Sequence, residues 1–402
     1  MARLSPRFDW TAEPRLQRIM SALEDGGTAR FVGGCVRDSL LGHSPFDDTS
    51  IDIDIATDRT PSEMKDALAA GGIRAVPTGE AHGTITAVVD GLVAECTSLR
   101  ADIDTDGRHA AVRFTRDWDE DWRRRDFTIN ALYADEKGTV WDPAGGIPDL
   151  EAGRVRFIGN ASTRIEEDAL RILRFFRFSA RFADRFDAEG ISAVRNLAPL
   201  LDRLSRERVW SELSRIFPAA RAGEAVAAAA ETRILQRILP GDPRVDDFRR
   251  LRSAGEPSPH LALATLWPGL DRATLKRALK PSNALLDQYE EVQRAASALT
   301  SGMAAEGVLY RFGRELALEA QRLIEARSSR IDPAVAEGLR NLRVPQLPIR
   351  GRDLLARGVP PGPEVKRLLR AFEEAWLQDG APCHQSDIER LLTDVLSGKS
   401  AR

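Results

Sequence analysis

Two carboxylates set the chemistry this chain can do. Ile51-Asp52-Ile53-Asp54-Ile55 alternates isoleucine with aspartate, and a period of two puts both acids on one face of a strand and the three isoleucines on the other. Aspartate is disfavoured in strands, and neighbouring like charges repel unless a cation lies between them. The pair is therefore expected to hold Mg²⁺, a hard ion that prefers carboxylate oxygen; an acidic outer face on an edge strand is the plain alternative. Just upstream, the short run 29–32 breaks at Gly33-Gly34 and enters a helix carrying Val36, Leu40 and Leu41, which stops at Gly42. Residues without Cβ let backbone N–H groups come close to phosphate oxygens. Gly-Gly, then Arg37-Asp38, then D-x-D at this distance joins a phosphate grip to a metal site.

The run G-G-x-V-R-D-x-L-L-G followed by D-I-D-I-A-T resembles the opening motif of the class II tRNA nucleotidyltransferases, the CCA-adding enzymes, and of their relatives the bacterial poly(A) polymerases. The resemblance implies template-independent addition of CMP and AMP to a tRNA 3′ end with release of pyrophosphate. Partners would be tRNA, CTP and ATP; two Mg²⁺ would sit on Asp52 and Asp54, and Gly33, Gly34 and Arg37 would bind the triphosphate.

A second charged cluster follows, Asp121-Trp122-Arg123-Arg124-Arg125-Asp126-Phe127-Thr128-Ile129-Asn130-Ala131-Leu132. Three adjacent arginines repel unless an anion or carboxylate is close, and an amphipathic helix is expected after them. The run is similar to the family motif R-R-D-F-T-I-N-A, which implies that Arg125 and Asp126 hold the ribose with Arg124 and Asn130 in support. Glu95, in V-A-E-C-T-S-L-R, stands where the family often reads v-E-v-T-t-l-R, implying a third catalytic carboxylate; a solvated glutamate is the plain alternative.

A single long helix is expected from Thr163 through T-R-I-E-E-D-A-L-R-I-L-R-F-F-R-F-S-A-R-F. Ile165, Ala169, Ile172, Phe175, Phe176, Ser179 and Phe182 trace its buried face, and Arg174, Arg177, Arg181 and Arg185 recur on another. Asp168 and Arg171, three apart, share a face as an ion pair would. Within E-D-A-L-R-I-L-R they match the family's base-reading motif. Leu204 to Leu213 resembles S-x-E-R-x-x-x-E-L, whose Arg208 and Glu212 read as an i,i+4 pair and, by resemblance, buttress the base-reading helix.

The elements that must position these groups follow from pattern. Residues 13–23 form an amphipathic helix, and Thr60-Pro61-Ser62-Glu63 is a capping box with proline at the first helical position. Residues 73–76, 84–89 and 92–97 read as strands, the last two joined by Asp90-Gly91. Residues 100–118 read as a mobile loop, and Trp141 to Leu150 is a turn-rich hinge resembling the family's D-P-x-G-G-x-x-D-L. The fold expected is an α+β nucleotidyltransferase head with a small mixed sheet over 1–150. A helical base-recognition neck over 151–220 and a helical, tRNA-binding body and tail over 221–402 follow it.

Composition bounds the rest. With 402 residues, 43% hydrophobic and 30% charged, the chain reads as a soluble globular protein of two or more domains. No apolar run approaches a membrane span, so a cytoplasmic location is expected. Cys35, Cys96 and Cys383 lack C-x-x-C spacing, and no zinc or disulfide is expected. Residues 1–150 hold 17 Lys and Arg against 27 Asp and Glu, a balance of −10, and the remainder holds 41 against 34, a balance of +7. An acidic head suits divalent metal, and a basic body suits a polyanion such as RNA. The stretch Val76-Pro77-Thr78-Gly79-Glu80-Ala81-His82-Gly83-Thr84 resembles the CCA-adding form and lacks the basic-aromatic R-R-F of bacterial poly(A) polymerases. A poly(A) polymerase is the nearer alternative; a non-catalytic RNA-binding protein on the same scaffold is the farther one, against which both aspartates speak.

Overall fold

The computed structural model describes residues 4–48, 51–102, 112–328 and 330–398. Its chain forms two compact units, Met1–Pro240 and Gly241–Arg402. Head and neck motifs thus fall together in the first unit, set beside the three-part division expected at 150 and 220.

Nine strands are found among the described residues: β1 Ala29–Val32, β2 Asp54–Thr57, β3 Arg74–Gly79, β4 Thr84–Val89, β5 Leu92–Ser98, β6 Arg100–Asp102, β7 Val112–Phe114, β8 Tyr133–Ala134 and β9 Val140–Trp141. Seven make one mixed sheet in the order β3-β4-β5-β2-β1-β8-β9, and β6 with β7 make a separate ribbon. Among the described residues the only parallel pairing in the large sheet is β2 with β5, which sets Asp54 opposite Glu95. Asp90 and Gly91 both take positive φ, 46° and 81°, as a two-residue hairpin turn between twisted strands requires. The expected loop over 100–118 is thus partly ordered as β6, β7 and the start of the helix Trp118–Arg123; its centre, 103–111, lies outside the described residues.

Helix Pro14–Glu24 has the predicted apolar face, helix Pro61–Ala70 follows the predicted capping box, and Thr60 and Glu63 cap it reciprocally. The alternation at 51–55 is only partly a strand. Ile51, Ile53 and Ile55 are all buried, but the ladder begins at Asp54, so Asp52 is carried on the segment leading into β2. No helix follows the arginine cluster. A single 3-10 turn, Thr128–Asn130, leads to β8, because residues 127–134 are buried all round and leave no solvent face for an amphipathic helix.

Trp141 to Leu150 is held from both sides. Asp142 accepts from the backbone N–H groups of Gly146 (2.7 Å) and Ile147 (2.8 Å) at the start of helix Gly146–Glu151. Fully buried Asp149 accepts from the Thr128 hydroxyl at 2.7 Å and from Arg156 Nε at 2.8 Å. A Cβ at Gly146 would sit 2.4 Å from the Thr128 carbonyl oxygen, so only glycine lets the two segments approach this closely.

The expected helix from Thr163 is two helices, Ala161–Glu167 and Arg171–Phe182. The break is at Asp168, with φ −146° and ψ 105°, whose Oδ1 accepts from the Leu170 backbone N–H at 3.0 Å. An aspartate side chain that satisfies a nearby backbone donor competes with helix continuation. Helix Arg171–Phe182 packs on the head through aromatic rings: Phe127 lies 4.8 Å from Phe157 and 5.4 Å from Phe178, and Phe157 stacks on Phe175 at 5.5 Å. Burying each such ring contributes about 2–3 kcal/mol.

The elements of the second unit are all helices among its described residues, as the pattern predicts. Its longest helix, Ala305–Ala326, kinks at Gly313, where φ is 75°. Phe372, Trp376, Leu354 and Leu392 build a core between helices Gly351–Leu355, Pro363–Gln378 and Gln385–Leu396.

Candidate active site

A cavity of about 1020 Å³ opens in the first unit. Its walls include Gly33, Gly34, Arg37, Asp52, Asp54, Arg124, Arg125, Asp126, Asn130, Asp168 and Arg171. These are all of the expected site residues except Glu95.

Gly33 adopts φ 73° ahead of helix Gly34–Leu40, a conformation that favours glycine. A Cβ at Gly34 would meet only Arg37 Nη2, at 3.8 Å, so what a side chain there would occupy is cavity space. Arg37 is buried. It donates from Nε and Nη2 to Asp38, both at 3.1 Å, and from Nη1 to Asn130 Oδ1 at 2.6 Å, while its guanidinium lies 4.1 Å over the ring of Phe182.

Asp52 is exposed and Asp54 half-buried. Burial, the charge of Glu95 and the charge of Asp52 push the Asp54 carboxyl up to about 7 against the pull of Arg125 and Arg37. Two neighbouring carboxylates repel each other unless a cation lies between them, and they are the donors a hard divalent ion prefers. The donor set therefore fits a divalent metal. Glu95, beside Asp54 in the sheet, is exposed and acts on it through charge. Among the described residues no three His, Cys, Asp or Glu side chains converge as a ligand cluster.

Two of the three adjacent arginines are clamped by one acid, while Arg123 pairs with Asp119. Asp121, fully buried, accepts from Arg124 Nε at 2.9 Å, Arg125 Nη2 at 2.9 Å and the Tyr133 hydroxyl at 2.8 Å; Arg125 Nε also donates to the Tyr133 oxygen at 3.0 Å. Burial alone would raise the Asp121 carboxyl, but Arg125 and Arg124 hold it well below the usual range. Asp126 Oδ1 accepts from Asn130 Nδ2 at 3.0 Å and from the Phe127 N–H at 2.9 Å. Its Oδ2 accepts from Arg174 Nε at 2.7 Å.

Asp168 and Arg171 both face the cavity, but not as one ion pair on one helix. Asp168 Oδ2 accepts from Arg208 at 2.8 Å, and Arg171 pairs with Glu167 and donates from Nη2 to the Arg124 carbonyl oxygen at 2.7 Å. Nor do Arg208 and Glu212 pair with each other. Arg208 goes to Asp168, and buried Glu212 accepts from Arg177 Nε at 2.6 Å, so both brace the neck helix from Arg206–Ile216.

Arg174, Arg177, Arg181 and Arg215 also line the cavity. The first three recur at helical spacing, which marked their common face, but their acid partners Asp126, Glu212 and Asp38 are 35 or more residues away in sequence.

Known proteins share this fold along most of the chain. Residues 29–156 match the poly A polymerase head domain, 185–242 the RNA- and SrmB-binding site of polymerase A, and 261–392 the tRNA nucleotidyltransferase domain 2. The chain is 32% identical to the human mitochondrial CCA tRNA nucleotidyltransferase 1 over 97% of its own length and 92% of that protein. It is likewise 32% identical to the CCA-adding enzyme of Streptococcus pneumoniae, over 90% and 92%. A crystal structure of the Bacillus stearothermophilus CCA-adding enzyme in complex with CTP superposes with a TM-score of 0.75 at 28% identity, covering 96% of this chain and 99% of that one. The fold is that of a nucleotidyltransferase. The chain belongs to the CCA tRNA nucleotidyltransferase family. No helix among its described residues is long and apolar enough to cross a membrane.

Proposed function

We propose that this enzyme adds CMP and AMP to the 3′ end of tRNA without a nucleic-acid template, using CTP and ATP. The primer 3′ oxygen attacks the α-phosphorus, its proton is lost, the bond from the α-phosphorus to the β-bridging oxygen breaks, and pyrophosphate leaves. What carries the reading is that one cavity joins the Asp52/Asp54 pair to Asp168 and Arg171, so a nucleotide can have its α-phosphate at the carboxylates and its base at the neck.

Asp52 and Asp54 would hold Mg²⁺, which when bound lowers the pKa of the primer hydroxyl and offsets charge on the leaving group. Glu95 adds a third acid beside them. Gly33, Gly34 and Arg37 line the triphosphate's path. Arg125 and Asp126 hold the ribose, and Asn130 ties Asp126 to Arg37 through its two amide atoms. Arg124 supports the site through its bond to Asp121 and through its carbonyl, which fixes Arg171. A basic balance of +7 after residue 150 suits a tRNA partner.

The test is incubation of the protein and Mg²⁺ with tRNA transcripts ending before C-C-A, with each nucleotide separately and together, followed by sequencing of the 3′ ends. Addition of C, C and A in order is expected. A run of A would instead make the chain a poly(A) polymerase, and no extension would remove the reading.

A further inference from the structure

A triphosphate carries about four negative charges, and most arginines around the cavity have little charge to spare for it. Arg37 is matched by Asp38, Arg174 by Asp126 and Arg177 by Glu212, and Arg171 shares Glu167 with Arg164. Arg124 and Arg125 share Asp121, and what remains of Arg125's charge acts on Asp54. Two arginines are different. Arg181 reaches only Asp38, at 3.4 Å, on the oxygen that Arg37 Nη2 already holds at 3.1 Å. Arg215 is exposed and makes no ion pair among the described residues, and its charge disfavours that of nearby Arg177.

The two lie at the same end of the cavity. Helices Arg171–Phe182 and Arg206–Ile216 run side by side in the same direction: Arg208 meets Asp168 just ahead of the first, Glu212 meets Arg177 in its middle, and Arg215 comes one turn later. At 1.5 Å rise per residue, Arg181 is roughly 15 Å along the helix from Arg171. That is the reach from the base edge of an extended nucleotide to its terminal phosphate. Arg181 also sits next to Arg37 through their shared Asp38, where the triphosphate path ends.

We propose that Arg181 and Arg215 form an anion subsite that takes the β- and γ-phosphates of the incoming nucleotide and retains them, after transfer, as pyrophosphate. The proposal rests on the nucleotidyl-transfer reading above. Guanidinium pairs suit a diphosphate because each can present two N–H donors to it, and a pair with charge to spare attracts it more strongly than an already matched one.

The experiment compares the full-length protein with Arg181→Gln, Arg215→Gln and the double variant. Calorimetry gives the Kd of Mg²⁺-pyrophosphate, which needs no turnover; steady-state assays give KM for CTP, and filter binding gives the Kd of tRNA. Pyrophosphate Kd and CTP KM are expected to rise together, on the order of tenfold per arginine, with tRNA affinity unchanged. Pyrophosphate binding within about twofold of wild type in the double variant would overturn the subsite. So would loss of tRNA affinity with pyrophosphate binding intact, which would assign the arginines to the RNA backbone. Wild-type protein that binds pyrophosphate through these arginines but does not extend tRNA would leave the subsite standing and remove the transfer reading.

Discussion

Arg174 grips Asp126 Oδ2 through both Nε, at 2.7 Å, and Nη2, at 2.6 Å, and this contact ties helix Arg171–Phe182 to the segment that carries Asp126, the proposed ribose ligand. Asp126 is buried, which by itself would raise its carboxyl; Arg174 and Asn130 reverse the shift and hold it below the ordinary range. A depressed carboxyl contributes stability that is present above its unfolded value, near pH 4, and is lost as pH falls through the folded one. Arg174→Met should therefore destabilise the protein at pH 7 by about 2–3 kcal/mol, allowing for the partial exposure of Arg174. The deficit should shrink below pH 4. Urea unfolding at pH 7 and pH 3.5 measures both; an equal deficit at the two pH values would detach it from the Asp126 charge.

Asp54 has the opposite sign. Its carboxyl is pushed up to about 7 by burial and by Glu95, so the metal-free protein should lose stability as pH rises from about 4 to 7, where the unfolded chain ionises first. Asp54→Asn should abolish that slope and be more stable than wild type at pH 8 without metal. Mg²⁺ must displace the proton below pH 7, so its affinity should fall there by up to about tenfold per pH unit. Melting temperatures with and without Mg²⁺ from pH 5 to 8 report all three. Transfer by Asp52→Ala or Asp54→Ala should drop on the order of 10³-fold or more, with tRNA affinity retained.

Tyr133 offers a one-atom test of the arginine clamp. Its hydroxyl donates to Asp121 and accepts from Arg125, while its ring packs against Trp118 at 5.6 Å and Trp141 at 5.1 Å. Tyr133→Phe keeps the packing and removes the nearer of the two acceptors of Arg125 Nε, leaving Asp121 Oδ2 at 3.2 Å. If Arg125 holds the ribose, KM for CTP should rise about 3–10-fold and the preference for CTP over dCTP should fall, with little change in melting temperature. A variant with reduced stability but unchanged preference would make the hydroxyl a purely structural group.

Local features were legible in the sequence where neighbouring residues decide them. The Thr60 capping box and the Asp90-Gly91 turn each depend on a few adjacent residues, and the carboxylate pair was visible from its alternation alone. The break at Asp168 was hidden because the apolar period of Ile165, Ala169 and Ile172 continues across it; only the bond from Leu170 N–H to Asp168 marks it. Arg174, Arg177 and Arg181 read as an ordinary charged stripe for the same kind of reason, since Asp126, Glu212 and Asp38 reach them only once the chain has folded. Asp121 was in plain view three residues before Arg124, but its role depends on burial and on Tyr133.

The break at Asp168 bears on how a protein without a template can choose C and A over G and U. Cytosine and adenine present an exocyclic amine donor beside a ring-nitrogen acceptor; uracil and guanine present a carbonyl in place of the amine. Asp168 can accept from the amine and Arg171 can donate to the ring nitrogen. Neither is free to move: Asp168 is fixed by Arg208 and the Leu170 N–H, and Arg171 by Glu167 and the carbonyl oxygens of Arg164 and Arg124. Those bonds use three of the five N–H groups of Arg171, leaving two for a base, and the carboxylate keeps lone pairs beyond the two engaged. A wrong base would set a carbonyl against Asp168, an acceptor against an acceptor, which costs far more than a missing methylene. Asp168→Ala and Arg171→Ala should therefore reduce discrimination among CTP, ATP, GTP and UTP more than they raise KM for the correct nucleotides. Arg208→Ala, which only releases Asp168, should do the same more weakly, by about tenfold or less. Single-nucleotide incorporation by the three variants measures this, and selectivity unchanged in all of them would return Asp168 to the role of a helix-breaking residue and Arg171 to that of a brace.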